Sequence, residues 1–221
     1  MPDHRGSCVN STLQNQSKVL LESGLEKLGL TCSSAQQDQL LAYLDLLKRW
    51  NKTYNLTSIR DSRSMLTRHL LDSLAIASYL DGSRFIDVGA GAGLPGVPLA
   101  IVCPERTFDL LDSNGKKTRF LFQVRIELGL SNILELNKRV ENYHPVDAYD
   151  AILSRGFAGL STMIHQTRHV LRDGGRFYAM KGKLSSRELS ALPEGFELEA
   201  VEKLVIPGLD EDRHLIIIQR K

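Results

Sequence analysis

Apolar residues in the first third of the chain recur at spacings of three and four. Val19, Leu20, Leu21, Leu25 and Leu28 form one such series, closed by Gly29. A second runs through Leu40, Tyr43, Leu44, Leu47 and Trp50, with Ser34 and Gln37 placed as a capping box at its start. A third (Leu66, Leu70, Leu74, Ile76) predicts a helix over about 62–79, and NKTYNLT (51–57) reads as the loop before it. After Gly82 the rhythm changes. Strands are predicted near 84–88, 107–111, 132–136, 149–154, 175–181, 197–206 and 213–219, with helices near 95–102, 115–129, 158–171 and 185–191. Such alternation specifies an α/β fold, a doubly wound, mostly parallel sheet that binds ligands at the carboxyl ends of its strands. The last two strands are joined by PGLDED with no helix between, so they are expected to pair antiparallel. The expected organisation is a loose tail over 1–16, a helical extension over 17–82 serving as lid or substrate platform, and an α/β domain over 83–221.

Composition narrows the class. The 221 residues are 42% hydrophobic and 24% charged, ordinary for a soluble globular protein. The cysteines (Cys8, Cys32, Cys103) are odd in number and widely spaced, which argues for a reducing compartment and against zinc or a disulfide framework. The start has no apolar signal core and no later run suffices to span a membrane, so a cytoplasmic protein is expected. A net charge of +2 says little, but its distribution says more. Lys48, Arg49, Lys52, Arg60, Arg63 and Arg68 face one acid, Asp61, with Trp50 and Tyr54 among them. Lys116, Lys117, Arg119 and Arg125 follow within an acid-free stretch, 113–125. Each run alone reads equally as a solvated face; two of them flanking a ligand turn point to a polyanionic substrate.

That turn is SRFIDVGAGAGLPGVP (83–98). An apolar strand carrying Asp87 runs into Gly89, Gly91 and Gly93, and Pro95 suits the first turn of a helix. Glycines there permit positive φ and let a ligand lie against bare backbone, before an exposed helix N-terminus. The dinucleotide fingerprint fits only from Gly91 (Gly91, Gly93, Gly96); counted from Gly89, its third position is Leu94. An acid at the strand end followed by G-x-G-x-G instead looks like the first motif of S-adenosylmethionine-dependent methyltransferases. The second strand ends at Asp112, where a carboxylate can accept from both ribose hydroxyls. Asp109 competes but lies inside the strand pattern, and a helix cap is the plainer reading of Asp112.

Further motifs follow in order: LLDSNGKKTRFL, RVEN (139–142), ILSRGFAGL (152–160), YAMKG (178–182) and DRHLIII (212–218), with NLTSI (55–59) and RHLLDSL (68–74) upstream. From about Leu40 to the C-terminus the chain resembles the glucose-inhibited division protein B family, small-subunit (16S) ribosomal RNA guanine-N7 methyltransferases. The resemblance implies a Rossmann-like class I methyltransferase fold, S-adenosylmethionine as methyl donor and S-adenosylhomocysteine as product. It implies a partner that is ribosomal RNA, the small subunit or its assembly intermediate, and we expect a monomer without metal. Family cofactor contacts fall on Gly89, Leu94, Val140, Glu141 and Arg155. The family shows Ser-Arg-Ala where this chain has Ser154-Arg155-Gly156, a departure that loosens the backbone after Arg155.

Guanine N7 has a free lone pair and the sulfonium methyl is already activated, so no general base is required; alignment and water exclusion carry catalysis. N7 and O6 form the edge that arginine or lysine reads bidentately. Arg155, Lys181 and Arg213 are therefore the candidates for holding guanine or its phosphates, and His69 and His214 read as structural. Lys48, Arg49, Lys52, Arg63, Lys116, Lys117 and Arg119 are the expected phosphate contacts. Three other readings compete: an NAD(P)-dependent oxidoreductase, a small-molecule methyltransferase and a non-catalytic cofactor binder. The lack of a hydride-transfer Tyr–Lys or His pair weighs against the first, the basic platform against the second, and the intact turn with its acid against the third.

Overall fold

The computed structural model describes residues 5–156 and 159–221, with side chains from Asn15 onward. Positions 1–4 of the expected tail and 157–158 of the ILSRGFAGL motif lie outside the described residues. Helix α1 spans Arg5–Lys27 and α2 spans Ser34–Tyr54. The tail expected over 1–16 is thus helical from Arg5, in a stretch that contains no proline to stop it. The capping box uses Ser33 and Gln36, one residue earlier than expected. Gln36 is suited to it because its amide also donates to the carbonyls of Ile101 (3.0 Å) and Val102 (3.3 Å). Helix α2 continues through the expected loop to Tyr54, where Trp50 stacks on Tyr54 at 5.1 Å and Asn55 caps it with φ 49°.

The third helix is interrupted. α3 (Ser62–Met65) widens into a π turn (Leu66–Leu71) before α4 (Asp72–Leu74), and the Asp72 N–H reaches back to the Thr67 carbonyl. Apolar spacing does not distinguish such a turn from an α-helix, and π turns often mark functional sites.

The sheet strands are β1 (Arg84–Val88), β2 (Thr107–Leu111), β3 (Ile133–Leu136), β4 (Tyr149–Arg155), β5 (Leu171–Lys181), β6 (Phe196–Lys203) and β7 (His214–Arg220). Their order is β3-β2-β1-β4-β5-β7-β6, and β7 runs antiparallel to both β5 and β6. Strands β1 and β2 match the sequence pattern residue for residue. Strand β5 starts earlier than expected, because Leu171 already pairs with Tyr149. Helices α5 (Gly96–Val102), α6 (Gly115–Leu128), α7 (Leu160–Thr167) and α8 (Ser186–Ser190) complete the α/β part. Pro95 precedes the helix as its cap instead of filling its first turn.

One apolar core joins the N-terminal helices to one face of the sheet. It contains Leu40, Tyr43 and Leu47 of α2 together with Val97, Phe120 and Leu121. A second core, with Ile86, Ile152, Met163 and Phe177, fills the other face. The buried Tyr43 hydroxyl donates to the Ala92 carbonyl at 2.6 Å, so α2 is fastened directly to the glycine turn.

Candidate active site

The carboxyl end of β1 carries the glycine turn. Gly89, Gly91 and Gly93 have φ of 75°, 61° and 88°, the left-handed region expected of them. They are not equivalent. A Cβ on Gly89 would meet nothing within 4 Å, whereas one on Gly93 would come within 2.5 Å of Val97. Gly96 matters for packing, since a Cβ there would fall 2.3 Å from Leu110. The open cradle is therefore at Gly89 and Gly91.

Both acids brace this turn. Asp87 is buried, and its Oδ2 accepts the Gly96 N–H at 2.9 Å while Oδ1 has no partner. Burial pushes its carboxyl up to about 7, against the pull of the Gly96 N–H and of Arg155. Asp112 accepts the N–H groups of Gly91 (2.9 Å) and Asn114 (2.8 Å), and Lys117 stands 3.5 Å away. Asp109 is occupied elsewhere, by the Tyr149 hydroxyl and by Arg84 at 3.9 Å. Of Asp109 and Asp112, it is thus Asp112 that contacts the glycine turn. A carboxylate offers about four lone-pair positions; Oδ2 uses two, on Gly91 and Lys117, and Oδ1 uses one, on Asn114, so one position on Oδ1 remains. Leu94 is buried beneath the turn, and Val140 and Glu141 lie on the 3₁₀ turn Val140–Asn142 after β3, with the Val140 carbonyl 3.1 Å from His169 Nε2.

Next to this turn, at the carboxyl ends of β4 and β5, lies a cleft of about 490 Å³. Arg155, Lys181 and Arg213, singled out from sequence, all line it. None is a free cation. Arg155 donates to Asp72 Oδ2 (3.2 Å) and to the Arg68 carbonyl (3.1 Å). Arg213 donates to Asp72 Oδ1 (3.2 Å) and to Glu211 (2.9 Å), and Glu211 also pairs with Arg68. Lys181 is held by both oxygens of Glu188 at 2.9 Å.

The hub of this network, Asp72, was not singled out from sequence, nor were Thr57 and Ser58, which line the same cleft, and Arg68 was named only as part of the basic run. The only available signal was that NLTSI and RHLLDSL belonged to the ordered motifs. Burial pulls the Asp72 carboxyl up while the two guanidiniums hold it down, and burial prevails. His69 is buried, pushed down to about 4 by desolvation and Arg155, and contacts Thr57 Oγ1 at 2.9 Å. His214 Nδ1 contacts the Gly182 carbonyl at 3.0 Å. Gly156 takes φ 82° with open space around it, so the freedom expected after Arg155 is used.

The basic residues divide. Lys48 pairs with Asp45 (3.4 Å), Arg49 with Glu127 (2.8 Å) and Lys117 with Asp112. Lys52, Arg63, Lys116 and Arg119 are exposed, with no ion pair among the described residues. The described residues include no cluster of metal-ligating side chains and no helix long and apolar enough to cross a membrane.

This architecture is shared with solved methyltransferases. TrmN from Thermus thermophilus superposes with a TM-score of 0.54 at 20% identity, over 79% of this chain and 53% of that one. A SAM-dependent methyltransferase from Aquifex aeolicus gives 0.53 at 17% identity, over 72% and 94%. The fold is the Rossmann-like fold of class I S-adenosylmethionine-dependent methyltransferases, with a seven-stranded, mostly parallel sheet. The sequence profile described as "rRNA small subunit methyltransferase G" matches residues 36–216. The Ribosomal RNA small subunit methyltransferase G of Shewanella amazonensis is 52% identical over 196 residues, 89% of this chain and 95% of that protein. The chain belongs to this family.

Proposed function

We propose that the protein transfers a methyl group from S-adenosylmethionine to N7 of a guanine in 16S ribosomal RNA. The observation that carries the reading is one of adjacency: the cradle at the end of β1 opens beside a cleft lined by arginines at the ends of β4 and β5. Open space at Gly89 and an orphaned Asp87 oxygen fit a cofactor with a cationic end lying against the turn. In this reading Gly89, Gly91, Gly93 and Leu94 form the cradle, Asp87 and Asp112 supply its carboxylates, and Val140 and Glu141 border the adenine. When bound, the cofactor supplies a methyl group on a sulfonium, and its sulfur keeps the electron pair as the methyl leaves. The chain itself needs no general base, because N7 attacks without losing a proton. Its task is to align the base and exclude water. His69, neutral above about pH 4, adds no charge to the cleft.

Arg155 and Arg213 orient the target nucleotide, and Lys181 helps through its pairing with Glu188. Lys52, Arg63, Lys116 and Arg119 hold phosphates directly, while Lys48, Arg49 and Lys117 do so by exchanging their carboxylate partners. The helical segment 17–82 is the substrate platform, and the protein works as a cytoplasmic monomer on rRNA or the subunit under assembly. The test is nucleoside mapping of 16S rRNA from a deletion strain, before and after treating its small subunits with protein and S-adenosylmethionine. A single 7-methylguanosine that is lost in the strain and restored in vitro is expected; unchanged rRNA would refute the reading.

A further inference from the structure

We infer that Asp72 reads the guanine, accepting hydrogen bonds from its N1–H and 2-amino groups, so that this carboxylate sets base specificity. The inference rests on the guanine-N7 reading above and specifies which atoms achieve it.

The argument begins with the nucleophile. A base that attacks through N7 must point that lone pair at the methyl group, so no arginine can occupy N7 and O6 together during transfer. Discrimination has to come from the groups left over. O6 takes a donor, and many cations in the cleft can supply one. N1–H and the 2-amino group are both donors, and they need an acceptor. Among the described residues lining the cleft, Asp72 is the only carboxylate.

Its surroundings suit that task. Asp72 is 3% exposed, and each oxygen accepts one guanidinium hydrogen, from Arg213 on Oδ1 and Arg155 on Oδ2, both at 3.2 Å. One lone-pair position per oxygen remains, the number that a two-donor edge requires. The two arginines fix the orientation of the carboxylate and oppose the protonation that burial favours, where a lone buried acid would be costly. Adenine presents an unprotonated N1 at the same edge, which a carboxylate repels. Inosine keeps N1–H but lacks the second donor.

Methyl transfer also moves positive charge onto the purine ring. N1–H and the 2-amino hydrogens then become stronger donors, so their bonds to a carboxylate tighten in the transition state and contribute to rate as well as recognition.

The test uses small subunits reconstituted with guanine, inosine or 7-deazaguanine at the mapped position, in single-turnover methylation by wild type and Asp72→Asn. Wild type is expected to methylate inosine at least about tenfold more slowly than guanine, the scale of one bond to a charged acceptor. Asp72→Asn is expected to slow guanine by about 100-fold and to bring the guanine-to-inosine ratio near one. A ratio unchanged in Asp72→Asn would mean that Asp72 only holds the arginines, and would overturn the inference. Equal wild-type rates on guanine and inosine would overturn it without any variant, whether or not Asp72→Asn folds. Methylation of 7-deazaguanine would instead sink the N7 reading itself, so the two failures are distinguishable.

Discussion

The two halves of the site are built from different materials. The cradle after β1 is made of backbone and short-range contacts. Asp87 caps Gly96, Asp112 caps Gly91 and Asn114, and these contacts lie between residues 87 and 114. The cleft beside it is made of side chains that meet across the whole sequence. Asp72 on α4, Arg155 at the end of β4 and Arg213 just before β7 converge on one carboxylate. A local motif can hold a cofactor because backbone groups and glycine torsions do the work. Recognition of a base needs several charges aimed at one place, and that requires the complete fold.

If this contrast is correct, damage to the cradle should separate from damage to the cleft. Gly91→Val has the largest expected effect. A branched side chain at φ 61° on the open face of the turn should remove S-adenosylhomocysteine binding, and with it all methylation, while the domain stays folded. Calorimetry beside thermal unfolding reads both quantities. The counterpart is Gly96→Ala, whose Cβ would press on Leu110, and which should lower the melting temperature instead.

Arg155→Ala and Arg213→Ala come next. Each removes a partner from buried Asp72, and single-turnover methylation should fall by about 100-fold, the scale of losing one fixed electrostatic contact. Cofactor affinity should change little in Arg213→Ala, since Arg213 lies outside the family's cofactor contacts. Equal losses in affinity and rate would merge the two halves into one.

Asp112→Ala is expected to weaken S-adenosylhomocysteine binding by about 1.5–3 kcal/mol, the scale of a hydrogen bond to a charged group. Asp109→Ala, which leaves the Tyr149 hydroxyl with Tyr143 as its remaining partner, should cost stability and leave affinity intact. A larger affinity loss at Asp109 would reverse the assignment. For RNA, neutralising Lys52, Arg63, Lys116 and Arg119 together should flatten the salt dependence of binding by roughly 0.7–0.9 per lost phosphate contact. An unchanged slope would leave the basic runs as solvated surface.

The same contrast explains how much could be read from the chain. Strands β1 and β2 and the glycine turn were legible because their signals are contiguous. So were Arg155, Lys181 and Arg213, as cations at strand ends. The π turn was not, because Leu66, Leu70 and Leu74 fit an ordinary helix equally well. Asp72 was hidden for a related reason: an acid between Leu71 and Leu74 reads as the wet face of a helix until two arginines from distant strands are seen on it. Lys181 looked free because Glu188 reaches it from across a loop.

The smallest expected effect is on the pH dependence of stability, where cradle and cleft oppose each other. Buried Asp87 keeps its proton up to about pH 7 in the folded protein, but releases it near 3.8 once unfolded. Between those values the folded state binds more protons, so raising the pH lowers stability. His69 does the reverse, losing its proton near pH 4 when folded and near 6.5 when unfolded, so raising the pH adds stability. At full separation each contributes a slope of about 1.4 kcal/mol per pH unit, and from about pH 4 to 6.5 the two nearly cancel. Asp72 and Asp109 are also raised by burial, and add a downward slope common to all variants. Asp87→Asn, whose amide oxygen can still accept the Gly96 N–H, should therefore show stability rising more steeply with pH than wild type over that interval. His69→Gln should show it falling more steeply, on up to pH 7. Urea unfolding at half-unit pH steps measures both differences. Parallel curves for wild type and Asp87→Asn would mean that Asp87 is already ionised in the fold, and that the cradle holds a charge before any cofactor arrives.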